Sequence, residues 1–308
     1  MKTPLISYFG EPLISSKLKK YLLKERTKIW IKGLAGSSFS IASSATIKAS
    51  TKPHLFIFAD KEEAQYFVNE LENLLNNEVF FYPASYRRPY QFEEIDNSNI
   101  LLRAEVLNKL NHKRNPIIVT YSEAISEKVV SRLELRKKTI SLATGDLYEI
   151  ENLENHLIDQ HFVKVDFVIE PGQFSIRGGI VDVFSYADEF PYRIEFHDIE
   201  VESIRLFNIN SQLSISLKKK VDIVPNTEAK YTRSEHVSFL DYLPKNSVLW
   251  IKDIGYTQGI LSDYFIKADD YVRAEKKDGK KIREPEEIFS SGKEFCKELD
   301  KYIIIQFG

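Results

Sequence analysis

Short apolar runs alternate strictly with helical patterns over the first 120 residues of this 308-residue chain. That alternation limits the fold more than any other feature. Lys28-Ile-Trp-Ile-Lys32, His54-Leu-Phe-Ile-Phe58, Val79-Phe-Phe-Tyr82 and Ile117-Ile-Val-Thr120 read as strands. Residues 37–50, 61–77 and 99–110 read as helices, the second with Ala64, Phe67, Val68, Leu71, Leu74 and Leu75 on one face. Strand and helix in alternation predict a parallel sheet covered by helices.

From about residue 137 the period changes from helical to alternating. After one helical stretch near residues 150–160, strands are predicted at Phe162-Val-Lys-Val-Asp-Phe-Val168, Gly179-Ile-Val-Asp-Val-Phe184, Tyr192-Arg-Ile-Glu-Phe196 and Val201-Glu-Ser-Ile-Arg-Leu206. These imply an antiparallel sheet in a second, α+β domain. Beyond Pro225 helix and strand return, with Ser247-Val-Leu-Trp-Ile-Lys252 as a buried strand and helices near residues 257–264 and 290–301. The expectation is an inserted domain, with parts at 1–132, 133–214 and 215–308. Residues 269–285, rich in Lys, Asp and Glu, are expected to form a loop.

Charge divides along the same line. The whole chain carries −2, but residues 141–212 hold fourteen acids and four cations (Lys164, Arg177, Arg193 and Arg205), a net of −10 that leaves +8 on the remainder. The acidic part is a poor candidate for phosphate contacts. The one cysteine, Cys296, excludes an internal disulfide and a multi-cysteine zinc site, and predicts a reducing, cytoplasmic setting. No apolar run approaches the ~18 residues of a membrane span, and the N-terminus lacks the continuous apolar stretch of a signal peptide.

Gly33-Leu-Ala-Gly-Ser-Ser-Phe-Ser40 follows the first strand and opens the first helix, where a phosphate-binding loop sits. An active loop ends in Gly-Lys-Ser/Thr, the lysine neutralising the β and γ phosphates. Here Ser38 and Phe39 stand at the glycine and lysine positions, and of the required residues Gly33 and the Ser40 hydroxyl remain. Gly36 lies between them. Lacking the charge that phosphoryl transfer needs, the loop reads as a strand-to-helix turn without nucleotide. The six histidines pair at no metal-binding spacing, and no nucleophile elbow occurs. The segment 80–92 mixes aromatics with Arg87 and Arg88, which suits either a domain interface or stacked nucleic acid.

Ser175-Ile-Arg-Gly-Gly-Ile-Val-Asp-Val-Phe184, Pro191-Tyr-Arg-Ile-Glu-Phe-His-Asp198 and Glu202-Ser-Ile-Arg-Leu-Phe207 resemble the UvrA-binding domain shared by UvrB and the transcription-repair coupling factors. Phe239-Leu-Asp-Tyr-Leu-Pro244 leading into Val248-Leu-Trp-Ile-Lys-Asp253 resembles the UvrB stretch that ends in the Walker B box, and the Gly33 loop falls where UvrB has Walker A. The resemblance implies an α/β fold in which a degenerate RecA/helicase-like parallel-sheet domain is interrupted by an inserted α+β domain with an antiparallel sheet, the UvrB arrangement of domains 1a, 2 and 1b. It puts Lys252 at the Mg²⁺-holding aspartate and Asp253 at the following glutamate, and leaves residues 90–102 too short for the UvrB DNA hairpin.

Those departures point to the N-terminal region of the coupling-factor family. They imply an adaptor that recruits UvrA, with no ATPase, cofactor or metal of its own and weak DNA binding at most. RNA polymerase and DNA would be engaged by other parts of a longer protein, itself an ATP-dependent DNA translocase. The alternative is a UvrB-like helicase fragment that retains nucleotide or DNA binding. On the resemblance, Arg177 matches a family arginine, Lys164 and Ser175 stand at arginine positions of UvrB, and Phe174 and Gly178 flank them. These five are the expected UvrA contacts.

Overall fold

The computed structural model describes residues 18, 20–22, 26–85, 97–112, 115–227, 236–277 and 283–308. They fall into two compact units. One holds the described residues within 1–102, 109–129 and 232–308, and the other those within 103–108 and 130–231.

The chain begins with β1 (Lys28–Ile31), α1 (Ser38–Lys48), β2 (His54–Phe58), α2 (Lys61–Leu75), β3 (Val79–Tyr82), α3 (Asn97–His112) and β4 (Ile117–Tyr121). It continues with β5 (Val129–Val130), α4 (Arg132–Lys138), β6 (Ile140–Ala143), α5 (Ile150–Asp159), β7 (Val163–Lys164), β8 (Gln173–Arg177), β9 (Ile180–Val183), β10 (Tyr192–His197), β11 (Glu200–Phe207), β12 (Ser214–Lys218) and β13 (Lys220–Ile223). The last stretch has β14 (His236–Val237), the single turn α6 (Phe239–Tyr242), β15 (Val248–Ile251), α7 (Ile254–Lys277), the short α8 (Pro285–Ile288), α9 (Gly292–Leu299) and β16 (Ile303–Phe307).

In the first unit the strands join in the order β1-β16-β15-β2-β4-β3, every pairing parallel. Its central strands β2, β4 and β15 are buried along their whole length, as a sheet covered on both faces requires. Helix α2 buries Ala64, Phe67, Leu71 and Leu75, four of the six apolar positions expected from its period. Asp60 caps its start by accepting a 2.9 Å bond from the Glu63 amide, and Asn76, left-handed at φ 52°, ends it.

The second unit has a six-stranded sheet in the order β12-β11-β10-β9-β8-β7. Alternation along β10 buries Tyr192, Ile194 and Phe196 in a core with Phe174, Val181, Val183, Val201, Ile204, and Leu153 and Leu157 of α5. The opposite face carries Arg193 and Glu195.

Several expectations need correction. The strand expected over 162–168 is ordered as strand only at Val163–Lys164, and β7 pairs parallel with β8, so the sheet is mixed. Residues 269–277, expected in a loop, are the last turns of the 24-residue α7, whose Ala268 and Val272 are fully buried; residues 278–282 lie outside the described residues. Strand β13 pairs antiparallel with β6, so residues 220–223 pack with the inserted unit. Arg87 and Arg88 lie outside the described residues, and residues 97–102 begin α3.

Candidate functional site

The turn after β1 holds Gly33 and Gly36 at φ 80° and 55°, the left-handed region that favours glycine. A Cβ at either would meet nothing within 4 Å, so backbone conformation rather than space selects glycine here. Helix α1 then begins with its hydroxyls committed inward. Ser37 donates a 2.6 Å bond to one carboxylate oxygen of Glu70 on α2, Ser40 donates a short bond to the other, and Ser38 donates to the Ala35 carbonyl at 2.7 Å. A carboxylate thus holds the two hydroxyls at the helix start.

Phe39 points away from this loop into the core. Its ring stacks on Phe307 at 4.0 Å and on Phe67 at 5.2 Å, with edge contacts to Phe56, Phe58 and Trp250. At the end of β15, Lys252 forms an ion pair with Glu63 of α2, and Asp253 caps α7 by accepting from the Tyr256 amide at 2.9 Å. The structure brings Gly33, Gly36, Ser38 and Ser40 together at one turn, with Phe39 turned to the other side. Sequence reasoning missed Glu63 and Glu70. They stand seven residues apart on α2, two turns along one face of the helix, and that spacing was the available signal.

The inserted unit presents the second group of residues. Asp182 on β9 is 2% exposed and lies directly opposite Arg193 on β10. Arg193 grips it with Nε and Nη2 at 2.7 and 2.8 Å, and Arg177 reaches it diagonally from β8 with Nη2 at 2.5 Å. The carboxylate holds the Arg193 guanidinium above its ordinary pKa. Arg193 and Arg205 are like charges in cross-strand register, and each turns aside to an acid, Arg205 to Glu195. Arg193 also lies over the Phe207 ring at 4.4 Å.

Of the two arginines on Asp182, Arg177 is the accessible one, its side chain 42% exposed against 19% for Arg193. Its guanidinium lies 5.3 Å from the ring of Phe167, itself 64% exposed. Lys164 is exposed and paired with Glu154 at 2.7 Å. Gly178 and Gly179 form the two-residue turn between β8 and β9. Gly178 has φ 59°, and a Cβ on Gly179 would come within 2.7 Å of the Phe196 carbonyl oxygen. That carbonyl leaves no room for a larger residue at 179.

Two expected contacts are corrected. Phe174 is completely buried in the sheet core, and Ser175 is 2% exposed with its hydroxyl donating to the Asp166 carbonyl at 3.0 Å. Neither offers surface to a partner. The accessible set is Arg177, Gly178 and Lys164, joined by Phe167, which sequence reasoning passed over because its neighbours read as a regular strand. Among the described residues no group of three His, Cys, Asp or Glu side chains could hold a metal ion, and no helix is long and apolar enough to cross a membrane.

Residues 140–229 match the UvrB interaction domain, and they lie within the inserted unit. With a parallel six-stranded sheet interrupted by that domain, the chain is similar to UvrB-type proteins. More particularly, it is similar to the N-terminal UvrB-homology region of transcription-repair-coupling factors. The Bacillus subtilis (strain 168) factor is 32% identical over 198 residues, which cover 64% of this chain and 17% of that protein. The Myxococcus xanthus factor is 28% identical over 218 residues, 68% of this chain and 18% of that protein. UvrABC system protein B of Ureaplasma parvum is 25% identical over 283 residues, 87% of this chain and 40% of that protein. The chain therefore spans under a fifth of the coupling factors and two fifths of that UvrB relative.

Proposed function

We propose that this chain is an adaptor of transcription-coupled nucleotide excision repair, recruiting UvrA through the inserted unit and contributing no ATPase of its own. The observation that carries the reading is the Arg177 corner of the inserted sheet. There an accessible guanidinium beside the exposed ring of Phe167 rests on a carboxylate that Arg193 already satisfies. Arg177 can exchange Asp182 for an acid on a partner without leaving Asp182 unpaired. An aromatic next to an arginine is also the composition of binding hot spots. Lys164 and the Gly178 turn extend the same contact surface.

The loop geometry supports the absence of an ATPase. A γ-phosphate would meet the Glu70 carboxylate where Ser37 and Ser40 are held, and the side chain at the lysine position is an aromatic ring in the core. Lys252, engaged by Glu63, supplies a cation where Mg²⁺ would need an acid. RNA polymerase, DNA and the ATP-driven translocation of the complete protein belong, on this reading, to parts outside this chain.

The test is capture of purified UvrA by the full chain, wild type against Arg177→Glu and Phe167→Ala. Loss of capture with an unchanged melting temperature is expected. Undiminished capture by both variants would remove this surface as the UvrA contact.

A further inference from the structure

Four cations meet at the edge of the parallel sheet opposite the Gly33 loop. Arg26, Lys52, Lys245 and Lys301 line a cleft of about 550 Å³ together with Asn246 and Ile303. The convergence follows from topology. β1, β16, β15 and β2 are consecutive neighbours and all parallel, so the segments entering them lie along one edge. Ile303, Val248 and His54 are level in the register, and Lys28 is level with Ile304. The four cations precede those positions by two or three residues, one in the segment entering each strand. At the usual strand spacing of about 4.8 Å, four strands spread them over roughly 14 Å.

Only part of this charge is neutralised within the fold. Asp241 takes Lys301 at 2.7 Å and Lys245 at 3.4 Å. Arg26 and Lys52 have no side-chain partner among the described residues. A further ion pair among the segments entering these strands, Lys28 with Asp300 at 3.2 Å, is neutral in sum. Among the described residues the lining carries four cations and no carboxylate; Asp241 lies beside it and Glu298 and Glu294 also act on Lys301, which leaves the positive charge concentrated at Arg26 and Lys52. The volume of the cleft lies in the range of ligand sites.

We infer that this cleft binds a chain of adjacent phosphates, carried either by a small polyphosphorylated molecule or by a single-stranded nucleic-acid backbone. The concave shape and the spread of cations along one line suit several linked phosphates better than one isolated anion. Lysine ammonium groups meet phosphate oxygens as point charges, and Arg26 supplies the one planar fork. The site lies wholly in the parallel-sheet unit and is independent of the UvrA reading. It is also separate from the Gly33 loop, which sits at the other ends of the same strands.

The experiment titrates the full chain with tripolyphosphate and, separately, with a short oligothymidylate at low salt, by calorimetry and fluorescence anisotropy. The double variant Arg26→Gln/Lys52→Gln removes two cations that hold no ion pair among the described residues, so its melting temperature without ligand should match wild type. Lys32→Gln/Lys61→Gln removes the same charge at the opposite edge and serves as the control. The expected result is tripolyphosphate binding that the first double variant weakens at least tenfold and the control leaves unchanged. If oligothymidylate also binds and tripolyphosphate displaces it, the backbone is the source, and the log–log salt slope should fall by about 0.7 for each cation removed. If tripolyphosphate alone binds, a small phosphorylated ligand is the source. Absence of binding to both probes, equal weakening by the control, or equally tight binding of a polyglutamate of matched charge would overturn the inference.

Discussion

The ring of Phe39 lies 4.0 Å from that of Phe307 and within 18° of parallel, so the position that a nucleotide-binding loop gives to lysine is here a buried contact between α1 and the last strand. Phe39→Ala should cost about 3–5 kcal/mol, the range for emptying a buried aromatic site. Phe39→Lys should cost at least as much and should not confer ATP binding, because its ammonium would enter a cluster of five aromatic rings rather than the loop. Urea unfolding and calorimetric titration with Mg-ATP check both halves. Micromolar ATP binding by the wild-type chain would contradict the adaptor reading.

Glu70 gathers the hydroxyls of Ser37 and Ser40, and Ser40 is 1% exposed. Glu70→Ala should therefore lower stability by about 1–3 kcal/mol, the cost of leaving the buried Ser40 hydroxyl without its acceptor. Glu70→Gln should recover part of it, since an amide oxygen can still accept one bond. A loss equal for both variants would show that charge, not hydrogen bonding, is what α2 supplies.

Arg177 and Arg193 share Asp182 but should behave oppositely. Arg193→Ala removes the two-pronged partner of a buried carboxylate and leaves it the single Arg177 bond, so it should cost about 1.5–3 kcal/mol. Arg177→Ala leaves that grip in place, so its melting temperature should change little, while UvrA affinity falls by about 1.4 kcal/mol or more, a factor of ten. Lys164→Ala should cost less affinity than Arg177→Ala, an ammonium lacking the bidentate fork. A lowered melting temperature with unaltered UvrA binding for Arg177→Ala would assign it to the sheet alone.

Burial, with the nearby Asp241 carboxylate adding to it, pushes Glu298 up to about 7, while Ser238 donates a 2.5 Å bond to it. A carboxyl whose folded pKa exceeds its unfolded value binds more protons when folded. Its contribution to stability therefore falls as pH rises from about 4.5 to 7 and is flat above. His54, whose pKa burial lowers to about 3, acts in the opposite sense, losing stability as pH falls below 6.5. Subtracting the stability–pH curve of Glu298→Gln from that of wild type isolates the carboxyl, and the difference should decline across that window. A difference that rises with pH would reverse the assignment.

Much of the fold was legible in periodicity. β2 and β4 read as buried parallel strands because they are apolar on both sides, and β10 as half-buried because Tyr192, Ile194 and Phe196 alternate with polar residues. No strand was expected at residues 173–177; in β8 Phe174 points inward with Ile176, opposite in sense to Arg177. The expected partner contact at Phe174 came from its nearness to the family arginine, and the alternation along β8 overturns it. Ser175 does lie on the outward side, level with Asp182, and is buried only because the chain around Asp166 covers it. No local pattern could report that cover.

What the sequence determined by itself was chemical: a loop without the lysine of a phosphate-binding motif, an acidic insertion, and a strand–helix alternation of the kind that gives a helix-covered parallel sheet. Tertiary structure decided where those side chains went. Glu70 reaches Ser37 and Ser40 from thirty or more residues away, Lys252 meets Glu63 across 189 residues, and Arg26, Lys52, Lys245 and Lys301 become neighbours because β16 and β15 insert between β1 and β2. Periodicity depends on contacts within a helix or strand and is local. Pairing between distant charges depends on which strands lie side by side, and the burial of the whole sheet sets that order.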